Sequence, residues 1–121
     1  MYALIGILKK PADMDTATFR QWWLEEHAMG ARLLPKLRKY VVYPLVRGFD
    51  PATGQPDGTP SSDGLAFLWF DTEEDLRAAF ASAAGRSDIE HGVHAPIEYQ
   101  LFCTDTEIVI PLPGQIQPSS T

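Results

Sequence analysis

Cysteine is nearly absent: Cys103 is the only one, so no disulfide can form within the chain and a reducing compartment is its natural setting. Positive charge is scarce too. Ten Lys and Arg stand against sixteen Asp and Glu, a formal net charge of −6, and the basic residues are scattered apart from Lys36-Leu37-Arg38-Lys39. Nucleic-acid binding rests on clustered cations, so no such partner is expected and the short basic group reads as a solvated turn. No apolar run approaches the ~20 residues that cross a bilayer. No basic region leads into a long hydrophobic segment near Met1, so the expectation is a cytoplasmic protein with no membrane partner. The dinucleotide glycine fingerprint, the phosphate-loop Gly-Lys-Ser/Thr and the Gly-x-Ser-x-Gly elbow are all missing. Those absences argue against nucleotide cofactors and a serine nucleophile. Cys103 lies in an expected strand without a basic neighbour and reads as a packed residue.

What is present is one domain's worth of chain, 121 residues with 45% hydrophobic and 21% charged positions. Tyr2 to Leu8 is apolar at odd and even positions alike and reads as a strand covered on both faces. Asp15 is a good N-cap for a helix that runs to about Leu34, where Pro35 stops it. Phe19, Trp22, Trp23, Gly30, Leu33 and Leu34 share one face of that helix. Glu26 falls near the middle of the face and His27 toward its edge, two polar groups where burial demands partners. For Glu26 the expected partner is a basic residue at a subunit seam.

Leu37 to Arg47 reads as a second strand, with Pro44 indicating an edge or a bulge. Gly48 to Asp63 has loop chemistry and is long for a compact domain, which favours a mobile insertion over a lid. Gly64 to Phe70 is a third strand, Leu65, Phe67 and Trp69 facing one way and Ala66, Leu68 and Phe70 the other. Asp71 to Glu74 opens a second helix with Leu76, Ala79, Phe80 and Ala83 as its buried stripe, ended by Gly85. Arg86 to His94 then reads as a polar connector. A last strand occupies Pro96 to Ile110, interrupted near Thr104 to Thr106, and residues 111–121 form a flexible tail.

This order is the ferredoxin-like βαββαβ arrangement, an antiparallel sheet with two helices on one face. The first and third strands are apolar on both faces, so the uncovered side calls for a homodimer in which two sheets meet. Phe19, Trp23, His27, Pro35, Leu37 and Tyr40, followed by Leu68-Trp69-Phe70-Asp71, resemble the pattern of the EthD-like family of dimeric α+β barrels. The likeness covers residues 2–110, which implies one EthD-like domain of residues 1–110. Within that family, the strand after the first helix and the stretch from Glu90-His91-Gly92 through Glu107-Ile108-Val109 resemble 4-methylmuconolactone methylisomerases, lactone isomerases of aromatic degradation. Two departures stand out: Lys36, where a glycine commonly follows the proline, and the long Gly48 to Asp63 loop.

His27 is the first candidate for chemistry, since an imidazole gives and takes protons near neutral pH. The resemblance implies that it points into a pocket between helix and sheet. His91 is a second candidate acid or base, and Tyr40, matching the family's tyrosine, can donate to a carbonyl or enolate oxygen. Trp23, Phe67 and Trp69, with His94, are candidates for walling an aromatic-sized site. His91 and His94 are three apart, but no further ligands are evident, so no metal is expected. The function these readings favour is a cofactor-independent isomerase, cyclase or lyase acting on a small lactone or carbonyl compound. The alternatives are a haem-binding or cofactor-free monooxygenase and a non-catalytic small-molecule binding protein.

Overall fold

The computed structural model describes residues 1–95 and 97–115. The His94 side chain lies outside the described residues, as do Pro96 and the last part of the tail.

Strands β1 (Tyr2–Lys9), β2 (Lys39–Pro44), β5 (Gly64–Phe70) and β6 (Glu98–Thr104) form one antiparallel sheet in the order β2-β5-β1-β6. Pro44, which has no N–H to donate, ends the edge strand β2. Register sets the two faces. Leu4 pairs with Leu68 and Gly6 with Ala66, while Ile5 pairs with Phe67 and Ala3 with Trp69. Successive side chains alternate, so the first set faces the helices and the second faces away. Ala66, Leu68 and Phe70 are buried in a core with Phe19, Trp23, Leu34 and Ala79.

Helix α1 runs in three consecutive segments, Thr16–Gln21, Trp22–His27 and Ala28–Ala31. Asp15 caps it, its carboxylate accepting from the Thr18 N–H at 2.7 Å. The middle segment is a π turn: the Ala28 N–H reaches back five residues to the Trp23 carbonyl. One extra residue in a turn rotates everything beyond it by about 100° relative to a regular helix. The helical phase expected from the sequence is therefore corrected after Trp23. Glu26 swings into solvent with Gly30 and Leu33, and Ala28 and Ala31 take the buried positions. Glu26 makes no ion pair among the described residues.

The connector expected at Arg86 to His94 is also corrected. Helix α2 (Glu73–Ala81) ends at Ser82, and α3 (Ala83–His94) starts at once, with Ser82 capping it by accepting from the Gly85 N–H at 3.1 Å. Gly85 does not end a helix. A Cβ there would fall 2.2 Å from the Ala79 carbonyl oxygen and 2.4 Å from Phe80 Cα, so glycine is what lets α3 fold back this tightly on α2.

Two further expectations change. Gly48 to Asp63 carries a short hairpin, β3 (Phe49–Asp50) with β4 (Gln55–Pro56), in a sheet of its own. Cys103 is exposed on the edge strand β6. No helix among the described residues is long and apolar enough to cross a membrane.

Candidate functional site

Between the sheet and the helices lies a cavity of about 240 Å³. Its floor is the helix-side face of the sheet, with Leu4, Gly6, Ala66 and Leu68 at the centre and Tyr40 and Tyr99 on the two edge strands. Its roof is Trp23, His27 and Ala31 from α1 and Asp88, Gly92 and Val93 from α3. The Trp23 indole is fully buried and pressed onto β5: a Cβ at Gly64 would lie 2.5 Å from the ring. Among the described residues the lining is apolar apart from the His27 imidazole, the Asp88 carboxyl, the Tyr40 and Tyr99 phenols and the Trp23 indole N–H.

The π turn matters here, because it presents the His27 edge of α1 to α3. His27 Nδ1 lies 2.9 Å from His91 Nδ1, a hydrogen bond in which one ring donates and the other accepts. His27 Nε2 lies 3.8 Å from Asp88 Oδ1, within the range of charge interaction but too long for a hydrogen bond; both side chains are only 13% exposed. The Trp22 indole runs nearly parallel to both imidazoles, with centroids 5.2 Å from His27 and 5.5 Å from His91. Asp88 and His91 are three apart on α3, which places both near one flank of it.

Burial governs the protonation states. It holds His27 below the usual imidazole value, the neighbouring His91 adding to the depression and the Asp88 carboxylate opposing it. The same desolvation pushes the Asp88 carboxyl up, against the pull of His27 and His91. Tyr40 and Tyr99 are raised to about 12, by burial first and by Asp88 next, so both are neutral donors at ordinary pH. Among the described residues, Asp88 Oδ1, Tyr99 Oη and Trp23 Nε1 are buried with no hydrogen-bond partner. A buried polar atom left unpaired is costly, so these three are the positions a bound molecule would satisfy.

Of the residues singled out from sequence, His27, Tyr40 and Trp23 line the cavity. His91 touches His27 from outside, in a surface depression with Ser87 and Glu90. Phe67 and Trp69 lie on the opposite face of the sheet, stacked at 5.4 Å with Tyr43 edge-on to Phe67, and so do not wall this cavity. The strand period allows only one member of each neighbouring pair to face inward, and here Ala66 and Leu68 do. Asp88 and Tyr99 were not singled out from sequence. Reading Arg86 to His94 as a helix would have put Asp88 in phase with His91 and Gly92, the one signal available. Among the described residues no group of three or more His, Cys, Asp and Glu is placed to hold a metal ion.

A family profile described as the EthD domain matches residues 11–96, spanning both helices that roof the cavity. The chain belongs to the EthD family. Among solved structures, this EthD chain is similar to an EthD family protein from Bacillus halodurans, at 20% identity and a TM-score of 0.71 over 88% of this chain and 99% of that one. It is similar also to SnoaB of Streptomyces nogalater, a cofactor-independent oxygenase, at 12% identity and a TM-score of 0.58 over 92% and 97%. A third is a dimeric ferredoxin-like protein from Thermobifida fusca, at 14% identity and a TM-score of 0.54 over 85% and 90%. At these identities the likeness is one of fold. No curated protein sequence matches the EthD chain.

Proposed function

We propose that this EthD protein catalyses proton transfer on a small, largely apolar lactone or carbonyl compound, as an isomerase, cyclase or lyase that needs no cofactor. The observation that carries the reading is the set of unpaired buried groups, Asp88 Oδ1 and Tyr99 Oη, beside a histidine held neutral in an apolar cavity.

Within a low-dielectric cavity each polar contact is strengthened, and a base need not compete with water. In the tautomer with the proton on His27 Nδ1, that N–H donates to His91 and leaves Nε2 as a base beside Asp88. Nε2 takes a proton from the carbon next to the substrate carbonyl. The negative charge moves to the carbonyl oxygen, where Tyr40 and Tyr99 donate hydrogen bonds to the enolate. The proton returns from Nε2 to a different carbon, which completes an isomerisation. Where the ring oxygen sits on the carbon β to the carbonyl, the enolate collapses, the Cα=Cβ bond forms, that C–O bond breaks, and Nε2 gives its proton to the expelled oxygen, which completes a ring opening. His91 spreads the transient positive charge, since the Nδ1 proton of His27 can pass to it across 2.9 Å. In this reading His91 acts through His27 and not on substrate.

The same base would serve a cofactor-free oxygenation by removing a phenolic proton before oxygen reacts, a reading favoured by the fold-level likeness to SnoaB. Incubation with monocyclic lactones and 1,3-dicarbonyl compounds in deuterium oxide tests the proposal. Enzyme-dependent deuterium uptake that is lost in His27→Gln and Asp88→Asn supports it; uptake unchanged by both substitutions in folded protein refutes it. Oxygen consumption matched to substrate loss would select the oxygenase instead, and saturable binding without exchange or turnover would make this a binding protein.

We further propose that it works as a homodimer through the outer sheet face. Phe102 is 52% exposed there and Tyr43 49%, and Ile108, Val109 and Ile110 beyond β6 are each more than 70% exposed, an apolar surface that a second copy would cover. Light scattering on a sizing column should give twice the chain mass, and Phe67→Glu should reduce it to one.

A further inference from the structure

The basic residues that look scattered in sequence do not all stay apart in space. A second, more open cleft of about 690 Å³, nearly three times the size of the 240 Å³ cavity, is lined by Lys9, Lys10, Arg20 and Arg47. These are four of the chain's ten Lys and Arg. Asp63 is the only carboxylate among the described residues of the lining, and one of its oxygens is already taken by the Lys10 backbone N–H at 2.8 Å. None of the four cations makes an ion pair among the described residues. On a protein of net charge −6 with acidic residues in excess, four cations gathered in one cleft with a single described carboxylate in its lining need an explanation.

Arg20 supplies a second, independent observation. Its Nε, a strong donor on a charged group, is buried and has no hydrogen-bond partner among the described residues. Thr16, Thr59 and Ser61 add hydroxyl donors to the same lining. The wall that carries Thr59 and Ser61 is held in place by backbone bonds. Asp63 N–H donates to the Leu8 carbonyl at 2.8 Å, Leu45 N–H to the Asp63 carbonyl at 3.0 Å, and Asp57 N–H to the Gly48 carbonyl at 3.0 Å. The long loop thus builds this cleft and contributes nothing to the cavity beside His27.

We infer that this cleft is an anion site for the phosphate or diphosphate group of a small organic molecule. Two guanidinium forks, two ammonium groups and a set of hydroxyls form a donor surface that matches the several acceptor oxygens of a phosphate better than the two of a planar carboxylate. The volume exceeds what a bare anion needs, which leaves room for the organic part of the ligand.

The test is a titration of the ¹⁵N-labelled chain with inorganic phosphate, pyrophosphate and citrate, each at the same ionic strength set with sodium chloride. Saturable shifts at the Lys9, Lys10, Arg20 and Ser61 amides, tighter for pyrophosphate than for citrate, are expected. Arg47→Gln, at an exposed position, should weaken pyrophosphate binding roughly tenfold or more, and Arg20→Gln likewise where it folds. Shifts that follow only ionic strength, or that Arg47→Gln leaves unchanged, overturn the site; equal affinity for citrate overturns its assignment to phosphate. Comparison of pyrophosphate with a nucleoside diphosphate separates the free anion from an organic phosphate as the natural occupant.

Discussion

Gly92→Ala should make the protein more stable and its cavity less able to hold a ligand. Gly92 sits inside α3 with no positive φ, so nothing in its backbone calls for glycine. A Cβ built there meets Tyr99 Oη at 3.5 Å, Tyr99 Cζ at 3.8 Å and His27 Cε1 at 3.9 Å, all ordinary contacts. Alanine inside a helix is favoured over glycine by about 1 kcal/mol, less near an end, and half-burying a methyl adds about 0.4 kcal/mol. The sum is about 1 kcal/mol, which for a domain of this size raises Tm by about 4 °C. The added methyl enters the cavity within contact of both the Tyr99 hydroxyl and the His27 ring. A ligand that fits the native cavity is then overpacked, at a cost of about 1–3 kcal/mol, or roughly 5- to 150-fold in Kd. Calorimetry gives the first number, and titration with a monocyclic phenol, followed by Trp fluorescence, gives the second. A destabilised Gly92→Ala would show that the space beside Tyr99 is not open. A stabilised variant that binds the phenol as well as the wild type would show that the ligand sits elsewhere.

Three further outcomes are expected. Lys36 has φ 63°, the left-handed region where a side chain costs about 1 kcal/mol, so Lys36→Gly should leave urea stability unchanged or raise it slightly, whereas Lys36→Val should lower it; a clear loss in the glycine variant would refute the strain. Gly64→Ala drives a methyl to 2.5 Å from the Trp23 ring, an overpacking worth about 1–3 kcal/mol, and should quench or shift the buried Trp fluorescence; a neutral result would mean that Trp23 is loosely seated. Because His27 is held below its ordinary value, the unfolded chain takes up a proton there first, so stability should fall as pH drops from about 6.5 toward the folded value. The raised Asp88 acts in the opposite sense, its contribution present below about pH 4 and lost as pH rises through its folded value. Denaturation curves between pH 5 and 7 should therefore flatten in His27→Gln, and an unchanged slope would place the titration on other groups.

The sheet was legible because its strands obey one rule locally: continuous apolar runs with turn residues between them fix both number and order. The way the faces divide was legible too, since Leu65, Phe67 and Trp69 do point away from Ala66, Leu68 and Phe70. Which of the two sets faces the helices was not, because both are apolar and periodicity carries no sign. That is why the pattern could not tell that Phe67 and Trp69 lie on the face away from the His27 cavity, whereas Trp23, on a helix with a single buried face, could be placed.

The two helical departures together shape the candidate site. Composition could not reveal the π turn, for Trp22 to His27 has nothing that breaks a helix, and one backbone bond from Ala28 to Trp23 decides the phase. Nor could it favour a helix at Ala83 to His94, where glycines and polar residues outnumber apolar ones and mean propensity is low. In α3 tertiary contact overrides local preference: Gly85 permits its tight return on α2, and the return brings Asp88 and His91 against His27. Had α1 been regular, the acidic Glu26 would have faced the core and raised the cost of burying Asp88 beside it. The extra residue exchanges that carboxylate for an imidazole held at the cavity wall. The geometry of the candidate site thus depends on a local departure from regular helix, placed where a regular one would have packed a charge.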